Sequence, residues 1–365
     1  MKAECSVEKF KNALSITERI TGKNLTLPIL GAILLIASGK SIKMRATNLN
    51  LGIEIEIPAK IEKEGTIAIR GDVLNVLFSS NTENSTVVLN EENGNLLVST
   101  KNNQSLIKGY PHEDFPTIPG VTGETFFISV KKITEGIKSV YYSAALSEIK
   151  PEIASIYIFT EDGELVFVST DSFRLAEKRI KIKNIPDISG ILIPYKNAVE
   201  IVRVFSDFSE DVKIEFNKNQ ISFSFPSLYL TSRVVDGIFP DYKQIIPKNH
   251  TTEVVVLKHD LINALKVANV FSDKFNQITF MANMKKKIFS LISKNSDVGE
   301  STTHLDAAQK GEDIEISFNY KYFIDAFQSV PEDSISLQFL GTSKATILKG
   351  VGNQSFMYLI MPMNK

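Results

Sequence analysis

The chain of 365 residues has no tryptophan, a single cysteine and four histidines. One thiol, Cys5, excludes an intramolecular disulfide framework. His112, His250, His259 and His304 are scattered without the spacing that metal ligands need, so neither a metal nor a cofactor is expected. The apolar run at residues 27–37 is too short to span a bilayer, and the opening MKAECSVEKFKN lacks the apolar core of a signal peptide. Those absences point to a cytoplasmic protein with no membrane partner. None of the 19 glycines falls into GxGxxG or GxxxxGK[ST], so no loop cradles a nucleotide phosphate.

What is present is ordinary globular material, 43% apolar and 23% charged, long enough for two or three domains. The 23 phenylalanines and the many Ile, Val, Ser and Thr residues favour strands.

A long period organises the chain. Three helical patterns with apolar residues three and four apart, SVEKFKNALSITERI, SVKKITEGIKSVYYS and LKHDLINALKVANVF, begin at Ser6, Ser129 and Leu257. A second set, IRGDVLNVLFSS, IPYKNAVEIVRVFS and FNYKYFIDAFQSV, begins at Ile69, Ile193 and Phe318. Hairpin patterns recur with them: ILLIASGKSIKMRA, YIFTEDGELVFVST and ITFMANMKKKIFSL, then TVVLNEENGNLLVS, VKIEFNKNQISFSF and ISLQFLGTSKATIL. The reading is an α+β protein of three repeats, each an internally doubled unit of strand, helix and hairpin pairs. The proposed domains are 1–121, 122–248 and 249–365. EDFPTIP and GIFPDYKQIIP, with Phe-Pro pairs at Phe115 and Phe239, end the first two copies as stiff, extended seams.

Charge is divided by secondary structure. The six helical windows, taken as 6–23, 69–80, 129–143, 193–206, 257–274 and 318–330, carry a net charge of +6 in a chain of net −1, which leaves −7 for the remainder. Helices sharing one side of a sheet would present a basic surface through Lys131, Lys132, Lys138, Lys196 and Arg203. Such a surface attracts phosphate backbones without reading sequence.

The one candidate for catalysis is TDSFRLAEKR, where Asp171 and Arg174 follow a strand and could act as acid, base or anion clamp. No histidine lies nearby in sequence. The counterpart loops, RATNLNLG and ISKNSDVG, turn polar or glycine-bearing straight after the strand. Only the middle copy continues into Phe173, Arg174, Leu175 and Ala176, which marks a surface with its own task. On residues alone, a β-rich scaffold that binds proteins without surrounding DNA, and a hydrolase or transferase using Asp171 and Arg174, both stay open.

LTLPILGAILL, STDSFRLA, GIFPDYKQIIP and the terminal YLIMPM occur in order across the whole chain, and together they resemble the bacterial sliding clamp, the beta subunit of DNA polymerase III. The resemblance implies three like clamp-type domains, with helices lining a hole and antiparallel sheets outside. Two subunits would form a closed head-to-tail ring around duplex DNA. It also implies no catalysis by this subunit, although the holoenzyme is a nucleotidyltransferase. Partners would be the polymerase III alpha subunit, clamp-loader ATPase subunits, and replication and repair proteins bearing a short motif.

The implied peptide cleft uses Thr170, Ser172, Phe173, Arg174 and Leu175, with Pro240 and Ile245 of the seam. Tyr322, Thr346, Leu359, Ile360, Met361, Pro362 and Met363 complete it. Ser172 and Phe173 stand where the family commonly has Gly and His, and Gln244 where a second Arg is common, which implies a more apolar pocket. Lys23 and Lys150 would add DNA contacts. Leu106 and Ile107 of one subunit would pack against Val270 and Phe271 of the other, with Ser105 where a Phe is often found.

Overall fold

The computed structural model describes residues 1–22, 26–79, 86–183, 185–247 and 249–363. Among these are six α-helices: α1 Val7–Glu18, α2 Gly71–Ser79, α3 Val130–Val140, α4 Tyr195–Phe205, α5 Lys258–Val270 and α6 Tyr320–Ala326. Each falls inside one of the six predicted helical windows. All six hairpins predicted from alternating runs also form, among them Ala32–Ser38 with Ser41–Thr47, Ser155–Glu161 with Glu164–Thr170, and Gln277–Asn283 with Ile288–Asn295.

The chain divides into two compact units, Met1–Val130 with Val199–Val234, and Lys131–Ala198 with Val235–Lys365. The first unit holds a 13-stranded sheet and the second holds sheets of nine and four strands, all antiparallel among the described residues. Two units arise from three repeats because strands pair across the repeat boundaries. Leu228–Arg233, late in the second repeat, lies on Leu51–Pro58 of the first. Phe356–Ile360, at the end of the third, lies on Arg174–Lys181 of the second. The middle repeat is therefore shared between its neighbours.

Each helix buries one face. In α3, Val130, Ile133, Gly136, Ile137 and Val140 are inward, while Lys131, Lys132, Glu135 and Lys138 face solvent. That spacing is the 3.6-residue period read from the sequence. Gly136 is placed by close packing, since a Cβ there would lie 2.3 Å from the Phe167 ring. The two turns that matter below leave the strands Ser41–Thr47 and Glu164–Thr170.

A Gly136→Ala variant separates packing from propensity. Helix propensity alone predicts a gain of about 1 kcal/mol, but the methyl must displace Phe167, so a net loss of about 1–3 kcal/mol is expected. Urea midpoints measure it, and an increased midpoint would contradict the close approach.

Candidate functional site

The turn at residues 170–175 is held by its own side chains. Thr170 Oγ1 donates to the Arg174 carbonyl at 2.7 Å and accepts from the Ser172 N–H at 3.1 Å. Asp171 Oδ1 accepts from the N–H groups of Phe173 and Arg174 at 2.9 and 3.0 Å. Ser172 takes φ +76°, a left-handed conformation that glycine would adopt without cost. The Gly-to-Ser change thus keeps the turn and adds strain.

This backbone is not peculiar to the middle repeat, contrary to the expectation that only that copy departs. In the first repeat Thr47 and Asn48 make the same bonds, and the strand continues as Leu51–Pro58. The departure lies in the side chains: Phe173 stands where the first repeat has Asn50, and Arg174 where it has Leu51.

Phe173 projects with 62% of its surface exposed. Its carbonyl accepts from the Met361 N–H at 2.8 Å, which ties the C-terminal tail to the turn. Further along, the Met363 N–H donates to the Ser317 carbonyl at 2.8 Å. The structure separates the predicted cleft residues into two kinds. Leu175, Thr346, Leu359 and Ile360 are buried, and Leu175 and Leu359 belong to one core cluster with Val166, Val168, Phe239 and Tyr242. These form a floor. Ser172, Phe173, Pro240, Ile245 and Met361 are exposed, and Tyr322, Pro362 and Met363 are half-buried, so they supply the reachable surface. Thr170 is buried and spent on the turn.

The seam is fastened at the same place. Phe239 stacks on Tyr157 with ring centroids 4.8 Å apart, the Tyr242 hydroxyl donates to Glu177, and Lys243 pairs with Glu161. Ile245 and Pro240 remain outward. Gln244 donates to Asp241 at 2.7 Å.

Arg174 does not reach out as a free cation. Its guanidinium lies 4.7 Å over the Tyr322 ring, Nε donates to Asp171 at 2.9 Å, and a second nitrogen donates to Asp325 of α6. Burial works against its charge, but neighbouring Tyr358 and the two carboxylates more than restore it and raise its pKa. Burial also raises the Tyr358 phenol well above its usual range. Asp171, read earlier as a possible acid or base, is occupied by two N–H groups and this guanidinium. Asp325 was missed in the sequence, yet it follows Tyr322 by three residues on a helix, a spacing that puts both on one face.

The basic residues separate as well. Lys131, Lys138 and Lys150 are exposed and make no ion pair among the described residues. Lys132 donates to the Lys181 carbonyl at 2.8 Å. Glu135 pairs with the buried Lys178 at 2.8 Å, which leaves the outer face of α3 positive. Lys196 is paired with Glu148, and Arg203 with Glu200. Lys23 lies outside the described residues. For the predicted subunit contact, Leu106 and Val270 are each 62% exposed, Phe271 is half-buried, and Ile107 turns inward into its own sheet.

Repeated two-helix units joined strand to strand define a clamp-type protein. Family models for the N-terminal, central and C-terminal domains of the DNA polymerase III beta subunit match residues 1–119, 127–241 and 243–364. The chain belongs to that family, the bacterial sliding clamps, and is a non-catalytic processivity clamp of DNA replication. The beta sliding clamp of Staphylococcus aureus strain Mu50 is 25% identical over 97% of each chain. The Thermotoga maritima beta subunit structure is 25% identical with a TM-score of 0.94, covering 100% of this chain and 99% of its own. The Bacillus subtilis clamp structure is 22% identical with a TM-score of 0.95 and the same coverages. A Pseudomonas aeruginosa clamp solved with griselimycin is 22% identical with a TM-score of 0.94 and full coverage of both chains.

The strained serine gives a direct test of the turn. A left-handed non-glycine residue costs roughly 1–2 kcal/mol, partly offset by the extra freedom glycine has when unfolded, so Ser172→Gly should stabilise by about 0.5–1 kcal/mol. An unchanged or lower urea midpoint would contradict the geometry.

Proposed function

We propose that the chain acts as a head-to-tail homodimeric ring around duplex DNA and tethers its partners through the cleft at the Phe173 turn. The observation that carries this reading is the Phe173–Met361 backbone bond, which sets two exposed apolar side chains beside each other over a buried floor. Such a lip suits a short peptide with apolar anchors, and methionines at its rim adapt to several sequences. The griselimycin-bound relative supports a ligand site on clamps of this family. The peptides would come from the polymerase alpha subunit, clamp-loader subunits and repair proteins. With Arg174 engaged by Asp171 and Asp325, anchoring here is more apolar than ionic.

The three domains would be 1–121, 122–248 and 249–365, consistent with the family matches. DNA would meet Lys131, Lys138 and Lys150 most directly, with Lys132, Lys196, Arg203 and Lys23 adding weaker, non-specific contacts. Weak phosphate contact lets a ring slide, because retention comes from linkage and not from affinity. Leu106, with Val270 and Phe271, would form the apolar part of the subunit contact. The setting would be cytoplasmic, and no helix among the described residues is long and apolar enough to cross a membrane. The subunit would be grouped with nucleotidyltransferases only through its holoenzyme.

Two variants test the two surfaces. Reversing Lys131, Lys132 and Lys138 together to Glu should reduce loading or retention on nicked circular DNA several-fold, and unchanged retention would remove these residues from the lining. Deleting residues 361–365 should cost at least tenfold in affinity for a polymerase-derived peptide while leaving the oligomeric state intact. Affinity within a few-fold of the intact chain would contradict the cleft.

A further inference from the structure

The turn in the first repeat reproduces the cleft turn bond for bond. Thr47 Oγ1 donates to the Leu51 carbonyl at 2.7 Å and accepts from the Leu49 N–H at 3.0 Å. Asn48 Oδ1 takes the place of Asp171 and accepts from Asn50 and Leu51 N–H groups at 3.0 and 2.8 Å. Leu49 has φ +73°, beside +76° for Ser172.

The correspondence extends to the neighbouring strand. Arg233 follows the paired residues 228–232 as Met361 follows the paired residues 356–360, and its N–H donates to the Asn50 carbonyl at 2.8 Å. That is the same bond, at the same length, as Met361 to Phe173. The first seam lies here as the second seam lies at the cleft: Thr117, Ile118 and Pro119 line a pocket of about 330 Å³ together with Leu49 and Arg233.

The chemistry is what differs. Leu49 is a large apolar residue held in left-handed backbone with 48% of its surface exposed, a strained and wet position. Arg233 is exposed, makes no ion pair among the described residues, and no carboxylate lines the pocket. A guanidinium without an acidic partner therefore shares a pocket with Leu49 and Ile118.

We propose that this groove is a second peptide-binding site, which takes an extended segment of a partner protein carrying an aliphatic side chain beside a carboxylate. The aliphatic group packs on Leu49 and Ile118, and the carboxylate pairs with Arg233, whose fork can bind it through two parallel bonds. Where the cleft selects apolar anchors, this groove selects acidic ones. The inference rests on the cleft reading only through the comparison between repeats.

The test uses the full chain and a fluorescein-labelled peptide, Ser-Leu-Asp-Leu-Glu, with its neutral counterpart Ser-Leu-Asn-Leu-Gln, followed by fluorescence anisotropy. Arg233→Glu should weaken the acidic peptide at least tenfold, and the neutral peptide should bind the unaltered chain at least fivefold more weakly. Leu49→Gly, which keeps the turn's backbone, should weaken binding several-fold, and Phe173→Ala should leave it unchanged. Equal binding by Arg233→Glu and the unaltered chain overturns the proposal. So does no binding of the acidic peptide at millimolar concentration. Loss in Phe173→Ala with Arg233→Glu intact assigns the peptide to the cleft, overturning the second site while leaving the cleft reading in place.

Discussion

A sheet edge exposes a row of N–H and carbonyl groups that must find partners, and the architecture of this chain follows from how its edges are covered. The second and third repeats each hand a strand to the repeat before: Leu228–Arg233 onto Leu51–Pro58, and Phe356–Ile360 onto Arg174–Lys181. These pairings hold the repeats together through backbone bonds, which tolerate sequence divergence. They also deliver the C-terminal tail to the Phe173 carbonyl. Several edges stay uncovered among the described residues, and two of them bear on assembly. Gly299–Leu305 has a partner on one side only, and Gln104–Tyr110 meets Gly65–Arg70 only at its last two residues. Leu106 projects from the second of these. In the proposed head-to-tail ring, a second copy would cover these two edges.

The same logic explains why the proposed site lies where it does. A tight turn beside an incoming strand makes a groove at each junction, and the turn is built from local bonds that any repeat can keep. Function is then a matter of which side chains decorate it. At the middle repeat Phe173 and Met361 provide apolar contact, while Arg174 is pinned between Asp171 and Asp325 and stacked on Tyr322. At the first repeat the corresponding positions are Asn50, Arg233 and Leu51.

Much of this was legible in the sequence because period is a backbone property. The helical windows and hairpins were set by apolar spacing and turn residues, and the structure returned all twelve. The seams were visible as Phe-Pro pairs. What the sequence did not convey was tertiary. Leu175, Leu359 and Ile360 carry the family signature, yet they are floor and not surface, since apolar residues in a strand do not announce which side is wet. The role of Asp325 depends on a contact between residues 151 positions apart. The equivalence of the two turns was hidden because Asn48 and Asp171, Leu49 and Ser172, look unlike until their bonds are compared. The charge excess on helices was real in count, but Glu148 and Glu200 offset Lys196 and Arg203 locally.

The proposed ring would cover the open edge that carries Leu106, so the mass in solution bears most directly on the whole account. Light scattering coupled to size exclusion, at micromolar concentration, should give twice the 40.6 kDa of one chain. A stable species at the mass of a single chain, persisting as concentration rises, would contradict the ring.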